Sequence, residues 1–236
     1  LFAVAAITSN DIWAVGLYFD TSNGSLFYTI AEHWNGSSWS VVYDPQDNYN
    51  DSFAGISAIS SKDIWAVGAS FGIYPHIATL AEHWNGSQWS TAGTPNVGKI
   101  SQLNGVASVS TNDVWAVGQS GNASSPKSLI EHWDGSSWSI SKDPGSSMSG
   151  TSLKSVAALS TSNVWAVGQS INKSGVSQTF IEHWDGSQWS IVSSPNVGSM
   201  NNSLNDVSGL TGTTQVWAAG NYTSKTGTNT LIESYC

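Results

Sequence analysis

Asp63-Ile64-Trp65-Ala66-Val67-Gly68 is followed, one loop later, by Glu82-His83-Trp84-Asn85-Gly86-Ser87-Gln88-Trp89, and the fold is decided by the return of both strings. Versions of the first surround Trp13, Trp115, Trp165 and Trp217, so the five tryptophans stand 52, 50, 50 and 52 residues apart. The second returns at Glu32 to Trp39, Glu131 to Trp138 and Glu182 to Trp189, with a degraded copy beginning at Glu233. All 13 tryptophans of the 236-residue chain lie in these strings. A period near fifty marks a repeat architecture.

Each unit reads as four strands. Strand a is a short segment such as Leu153 to Leu159, with apolar residues in fixed columns and Ala, Ser or Gly between them. Strand b, Val-Trp-Ala-Val-Gly, is apolar on both parities, as a strand covered on both faces must be. Strand c ends at the Glu-His-Trp triplet, and the Asn-Gly or Asp-Gly that follows is a strong hairpin signal leading into strand d. One twisted sheet of this kind cannot bury two apolar faces alone, but sheets stacked side by side can. The expected fold is therefore all-β: a five-bladed β-propeller of four-stranded antiparallel blades. It forms a single domain over 1–236, with repeats at about 1–52, 53–102, 103–152, 153–203 and 204–236. The last blade lacks its outer strand, because Leu231-Ile232-Glu233-Ser234-Tyr235-Cys236 stops short of a strand d. The alternatives at that end are a polypeptide that continues, a three-stranded blade with an open edge, or pairing of that edge with another copy. A longer product of six or seven blades is compatible with the same count.

Composition narrows the function classes. Only 10% of residues are charged, against about 25% in ordinary globular domains. Seven lysines, no arginine and 16 acidic residues give a net charge of -9. That balance argues against nucleic acid and anionic membrane surfaces, whose binding rests on Lys and Arg. No apolar run reaches the ~18 residues of a membrane-spanning helix. The chain opens at Leu1 within an apolar segment and reads as a mature or excised piece; its one cysteine, Cys236, allows no internal disulfide.

The order Val-Trp-Ala-Val-Gly, variable loop, Ile-Glu-His-Trp-Asp-Gly-Ser-x-Trp resembles a kelch-type propeller repeat. It is similar above all to the tryptophan-rich, galactose-oxidase/kelch-like repeats of secreted and cell-surface bacterial proteins. The resemblance covers essentially the whole chain and implies the propeller fold and an extracellular or cell-surface location. The chain departs from the kelch pattern in having one Gly after strand b rather than a pair. For activity the resemblance implies little, since propellers host enzymes, lectins and scaffolds alike.

Two connections per unit are constant in length, a to b and c to d, whereas the b-c and d-a connections vary. Strands alternate in direction, so the variable loops emerge on one face, where binding is expected near the axis. The unevenly distributed residues there are aromatic: Tyr18, Phe19, Phe27 and Tyr28 in the first b-c segment, Phe71, Tyr74 and His76 in the second, and Tyr222 in the fifth. In a closed five-membered ring blades 1, 2 and 5 are contiguous, and these residues form one candidate patch for a sugar or peptide. The competing reading is that they pin down their own loops.

The Glu-His pairs invite a catalytic or metal reading, but neighbours on a strand point to opposite faces, so the expectation is a structural hydrogen-bond network. A repeated shallow ligand site at each blade junction is the second choice. The non-repeated carboxylates are Asp20, Asp44, Asp47, Asp51, Asp143 and Asp206; a glycosidase would need two of them converging in a cleft. Asp47 and Asp51 bracket an Asn-rich loop and are weak candidates for a hard cation. There is no phosphate loop, no Cys/His metal spacing and no nucleophile–base signature, so no cofactor and no catalytic residue is assigned. With no arginine, the chain also lacks the basic cluster of sialidase-type propellers. The leading expectation is a non-enzymatic extracellular propeller that binds a glycan or protein ligand through its loop-rich face. The alternatives are a structural or protein-interaction module of a larger surface protein and, third, a carbohydrate-active enzyme. Self-association through the open edge of blade 5 is a further expected partner mode.

Overall fold

Branched and aromatic side chains on both parities favour extended backbone buried on two sides, and this is what the strings form. A computed structural model of the chain describes residues 1–23, 26–42, 50–72, 76–122, 124–210 and 212–235. Sheet 1 holds β1 (Ala3–Thr8), β2 (Asp11–Asp20), β3 (Leu26–Trp34) and β4 (Trp39–Val42). Sheet 2 holds β5 (Asp51–Ser60), β6 (Asp63–Ser70), β7 (Ala78–Trp84) and β8 (Trp89–Thr91). Sheet 3 holds β9 (Ile100–Ser110), β10 (Asp113–Asn122), β11 (Ser125–Trp133) and β12 (Trp138–Ile140). Sheet 4 holds β13 (Thr151–Ser160), β14 (Asn163–Ile171), β15 (Ser177–Trp184) and β16 (Trp189–Val192). Sheet 5 has three strands, β17 (Asn202–Gly209), β18 (Val216–Ser224) and β19 (Gly227–Tyr235). Within every sheet the strands pair antiparallel in chain order.

Local chemistry fixes the sharp turns. In the c-d hairpins Gly36, Gly86, Gly135 and Gly186 have φ between 92° and 96°, a region only glycine enters at little cost. The Asn or Asp before each glycine caps the turn: Asn85 Oδ1 accepts from the Ser87 amide at 2.9 Å, the Ser87 hydroxyl at 2.7 Å and the Gln88 amide at 3.1 Å. The single glycine closing strand b has a different reason. A Cβ on Gly168 would sit 2.0 Å from the Ser152 carbonyl oxygen, so strand a crosses there at a distance no side chain allows.

Side-chain parity gives each sheet a forward face, turned to the next sheet, and a backward face. The forward face carries the strand b Trp with the His of strand c stacked on it, at ring separations of 4.1 to 4.7 Å in sheets 1 to 4. The backward face carries the Trp pair of strands c and d. Trp13 packs on Trp84 and Trp89, Trp65 on Trp133 and Trp138, and Trp115 on Trp184 and Trp189, with centroids 4.8 to 5.7 Å apart. At the fourth junction Trp165 meets Tyr235, the residue standing where the strand c Trp is expected. Each junction is one hydrophobic core, and the described residues form four of them for five sheets.

A closed five-membered ring needs a fifth core, between sheets 5 and 1, and the described residues form none. Trp217, in the column where Trp13, Trp65, Trp115 and Trp165 are 2%, 2%, 3% and 7% exposed, is 52% exposed. The described sheets thus form an arc. The expected missing outer strand of the last blade matches the three-stranded sheet 5.

The two environments make opposite predictions for one substitution. Trp115→Ala is expected to cost about 3–5 kcal/mol, the range for emptying a buried aromatic site. Trp217→Ala is expected to stay within about 1 kcal/mol, by chemical denaturation of both variants.

Candidate functional site

The d-a and b-c connections lie together, as the alternation of strands requires. Asn50 donates its amide to the Phe27 carbonyl and accepts from the Phe71 amide, and Gly150 does the same between Pro126 and Ile171. Near this end of the sheets, strand a departs from regular pairing. Its register slips between Phe53 and Gly55, between Leu153 and Ser155, and between Leu204 and Asp206. The bulged residues are Ala54, Lys154 and Asn205, and a bulge re-aims a side chain out of the ladder. In the same column of sheets 1 and 3 stand Phe2 and Asn104.

All five of these residues line one axial cavity of about 890 Å³. Its polar wall is ordered by its own hydrogen bonds. Lys154 Nζ donates to Ser203 Oγ at 2.7 Å and to Asn205 Oδ1 at 2.8 Å. Ser155 Oγ donates to Asp206 Oδ1 at 2.6 Å, and the Asn104 amide donates to the Leu153 carbonyl at 2.7 Å. Partial burial lowers the Lys154 ammonium below its ordinary pKa. Opposite this wall the exposed Phe2 ring supplies an apolar surface, and the cavity continues along the backward face of sheet 1 past Glu32 and Trp39. Amides, hydroxyls, one ammonium and two carboxyl groups, Glu32 and Asp206, beside an aromatic ring can bind a neutral polyhydroxylated molecule.

The predicted aromatic residues separate into groups. Phe19 and Phe27 are a cross-strand pair 6.0 Å apart, and Phe27 meets Phe71, the residue after β6, edge-on at 5.5 Å. Tyr18 stacks on Tyr28 at 5.4 Å, on the opposite face of sheet 1. Of these, Tyr18 and Phe19 are the exposed ones, at 43% and 65%. His76 is exposed at the edge of the same region. Tyr222 packs against the core between sheets 4 and 5, because its parity on β18 turns it towards sheet 4. Tyr74 lies outside the described residues. The expected single patch from sheets 1, 2 and 5 is therefore two small clusters on sheets 1 and 2, with Tyr222 in a core.

The Glu-His pairs split between faces as parity requires. His33, His83 and His132 reach Asp11, Asp63 and Asp113 with Nε2 at 2.8 to 2.9 Å, and His183 reaches Asn163 at 2.9 Å. Grooves of about 510 and 760 Å³ run beside His83 and His132 at two successive junctions. The glutamates point backward into the junctions, where Glu82, Glu131, Glu182 and Glu233 are buried. Glu182 Oε1 accepts from the Gly145 amide at 2.9 Å, and Glu233 Oε2 accepts from the Ser194 hydroxyl at 2.7 Å. Burial raises Glu131 to about 8. Burial, helped by the charge of Asp143, raises Glu182 to about 8 as well.

Of the non-repeated aspartates, Asp143 is buried and accepts from the Ser128 hydroxyl at 2.5 Å, while Asp206 faces the axial cavity. Asp20 holds a turn through Ser22 at 2.6 Å, and Asp51 is buried at the start of β5. Asp44 and Asp47 lie outside the described residues. Among the described residues no three His, Cys, Asp or Glu side chains converge on a metal position, and no helix is long and apolar enough to cross a membrane.

No protein-family model and no curated protein matches the chain. Among solved structures it is similar to YCF48 bound to a D1 peptide, at 13% identity and a TM-score of 0.52, over 98% of this chain and 66% of that one. It is similar to the six-bladed fucose-binding lectin of Aleuria aurantia, at 13% identity and a TM-score of 0.56, over 99% of this chain and 74% of the lectin. A third likeness is to Trypanosoma rangeli sialidase in complex with sialic acid, at 9% identity and a TM-score of 0.54, over 98% of this chain and 43% of the sialidase. At such identities the likeness establishes the propeller fold. The chain spans under two thirds of the YCF48 chain, at 66%, and under half of the sialidase, at 43%.

The buried glutamates set a pH dependence. A folded carboxyl that keeps its proton to about 8 binds more protons than its unfolded counterpart near 4.5, so its stabilising contribution is full below pH 4.5 and is lost as pH rises through 8. Glu131→Gln should therefore raise the Tm relative to the parent at pH 8.5 and leave it nearly unchanged at pH 5, in paired thermal melts. Equal shifts at both pH values would contradict a protonated Glu131.

Proposed function

We propose that the chain is a ligand-binding propeller that takes a glycan or a comparable polyhydroxylated ligand on its loop-bearing face, seated in the axial cavity. The observation that carries this reading is the five-residue column of Phe2, Ala54, Asn104, Lys154 and Asn205. These residues share one position in the repeat and differ in chemistry, and together they line a single cavity of about 890 Å³. A scaffold column would repeat its residue, whereas a recognition column varies. The exposed Tyr18 and Phe19 at the loop rim offer additional stacking surface. The fold is compatible with this use: a neighbour of the same architecture is a fucose-recognising lectin. An extracellular or cell-surface location belongs to the same proposal.

A peptide ligand is the second reading, favoured by the peptide-bound YCF48 neighbour. A glycan panel and a peptide library, each probed with the parent chain, separate the two. The first reading expects glycan binding that weakens about tenfold in Lys154→Ala and Asn205→Ala, the loss of one good hydrogen bond. Tyr18→Ala and Phe19→Ala should have smaller effects. Binding of no glycan, or binding indifferent to both cavity substitutions, would sink it.

A further inference from the structure

The two ends of the arc present the unfilled halves of one junction. The forward face of sheet 5 exposes Trp217 and Ile232, and the backward face of sheet 1 exposes Val4, Trp39 and Val41. In the filled junctions the counterparts of Trp39 are closed off: Trp89, Trp138 and Trp189 are 1%, 6% and 4% exposed, while Trp39 is 48% exposed. Glu32 shows the same contrast. Its four counterparts are buried against the preceding sheet, yet Glu32 looks into the open cavity. Apolar surface on this scale marks an interaction site. What covers such a face is displayed four times in this molecule: a sheet of the same repeat, in the same register.

We propose that the gap between sheets 5 and 1 seats one further four-stranded blade of this repeat. Its strand b Trp would pack on Trp34 and Trp39, as Trp13 packs on Trp84 and Trp89 at 4.9 and 5.7 Å. Its strand c and d aromatics would cover Trp217. Its d strand or following connection would offer Glu32 a donor, as the Gly145 amide serves Glu182 and the Ser194 hydroxyl serves Glu233. The size of the gap argues for one blade. The arc superposes along 99% of its length on 74% of a six-bladed propeller, and five sheets laid on six blade positions leave one position free. One blade is favoured over a second copy of the chain, which would bring four further sheets with it. The blade would close the part of the cavity that runs past Val4, Glu32 and Trp39, and would leave the wall of Asn104, Lys154 and Asn205 to the ligand.

The repeat supplies its own probe. A second copy of residues 153–203 placed directly before Leu1 keeps the period, because Leu153 and Leu204 hold the same column as Leu1. The parent chain should bind the dye ANS, sediment as a monomer at micromolar concentration and tolerate Trp217→Ser. The fusion should bind severalfold less ANS and melt at a higher temperature, and there Trp217→Ser should reverse most of that gain. Unchanged ANS binding, with the added repeat digested away by dilute protease, would overturn the proposal. A parent chain that sediments as a dimer and binds no ANS would also overturn it, in favour of a second copy.

Discussion

A strand b indole lodged between the two indoles of the following sheet is the contact on which the rest depends. Each such triad combines three large apolar surfaces with tilted and edge-on ring geometry, which adds about 0.5–1.5 kcal/mol per pair beyond the area buried. The triad spans the gap between sheets, where splayed side chains must be bulky to leave no void. It also fixes register: the stacked His and its Asp or Asn partner hold the strand b ring from one side while the next sheet's Trp pair holds it from the other. Stability in this chain is therefore a property of junctions, and a sheet counts for little until its neighbour arrives.

The polar groups inside the junctions follow from the same stacking. In sheets 2 to 5 the strand c Glu points backward under the preceding sheet's outer connection, where burial raises Glu131 and Glu182 to about 8. The protonated carboxyl is the form that a low-dielectric interface tolerates. The Glu-His doublets thus look like chemistry in one dimension and resolve into two unrelated structural networks in three.

The Trp, Glu-His and Asn/Asp-Gly columns are legible in sequence because one physical demand recurs from unit to unit, five times for the strand b Trp and four times for the others, and writes the same residues. The degraded strand c of the last unit is legible for the same reason, since Tyr235 stands in its Trp column, and the described residues of that sheet form three strands. What escapes is whether the ring closes, because the sequence states what each face needs and not whether a partner reaches it. The bulge column escapes too. Lys154 and Asn205 sit inside strand a and look like surface residues, and only the register slip shows that they turn to the axis. Their signal is variability at a fixed step after a constant Leu or Phe, visible as Phe2, Ala54, Asn104, Lys154 and Asn205. Loop aromatics drew attention instead, and Tyr222 shows the reason for caution: a strand's parity decides its partner, and there it selects the core.

The claim that junctions hold the fold, and that the described residues form four filled junctions and two open half-junctions, is most directly tested by residue-resolved oxidative labelling of the native protein. Mass spectrometry of briefly oxidised protein should find Trp39 and Trp217 modified first, with Trp13, Trp65, Trp115, Trp89, Trp138 and Trp189 protected until the protein unfolds. Protection of Trp217 equal to that of Trp115 in the monomer would contradict the open arc and the account built on it.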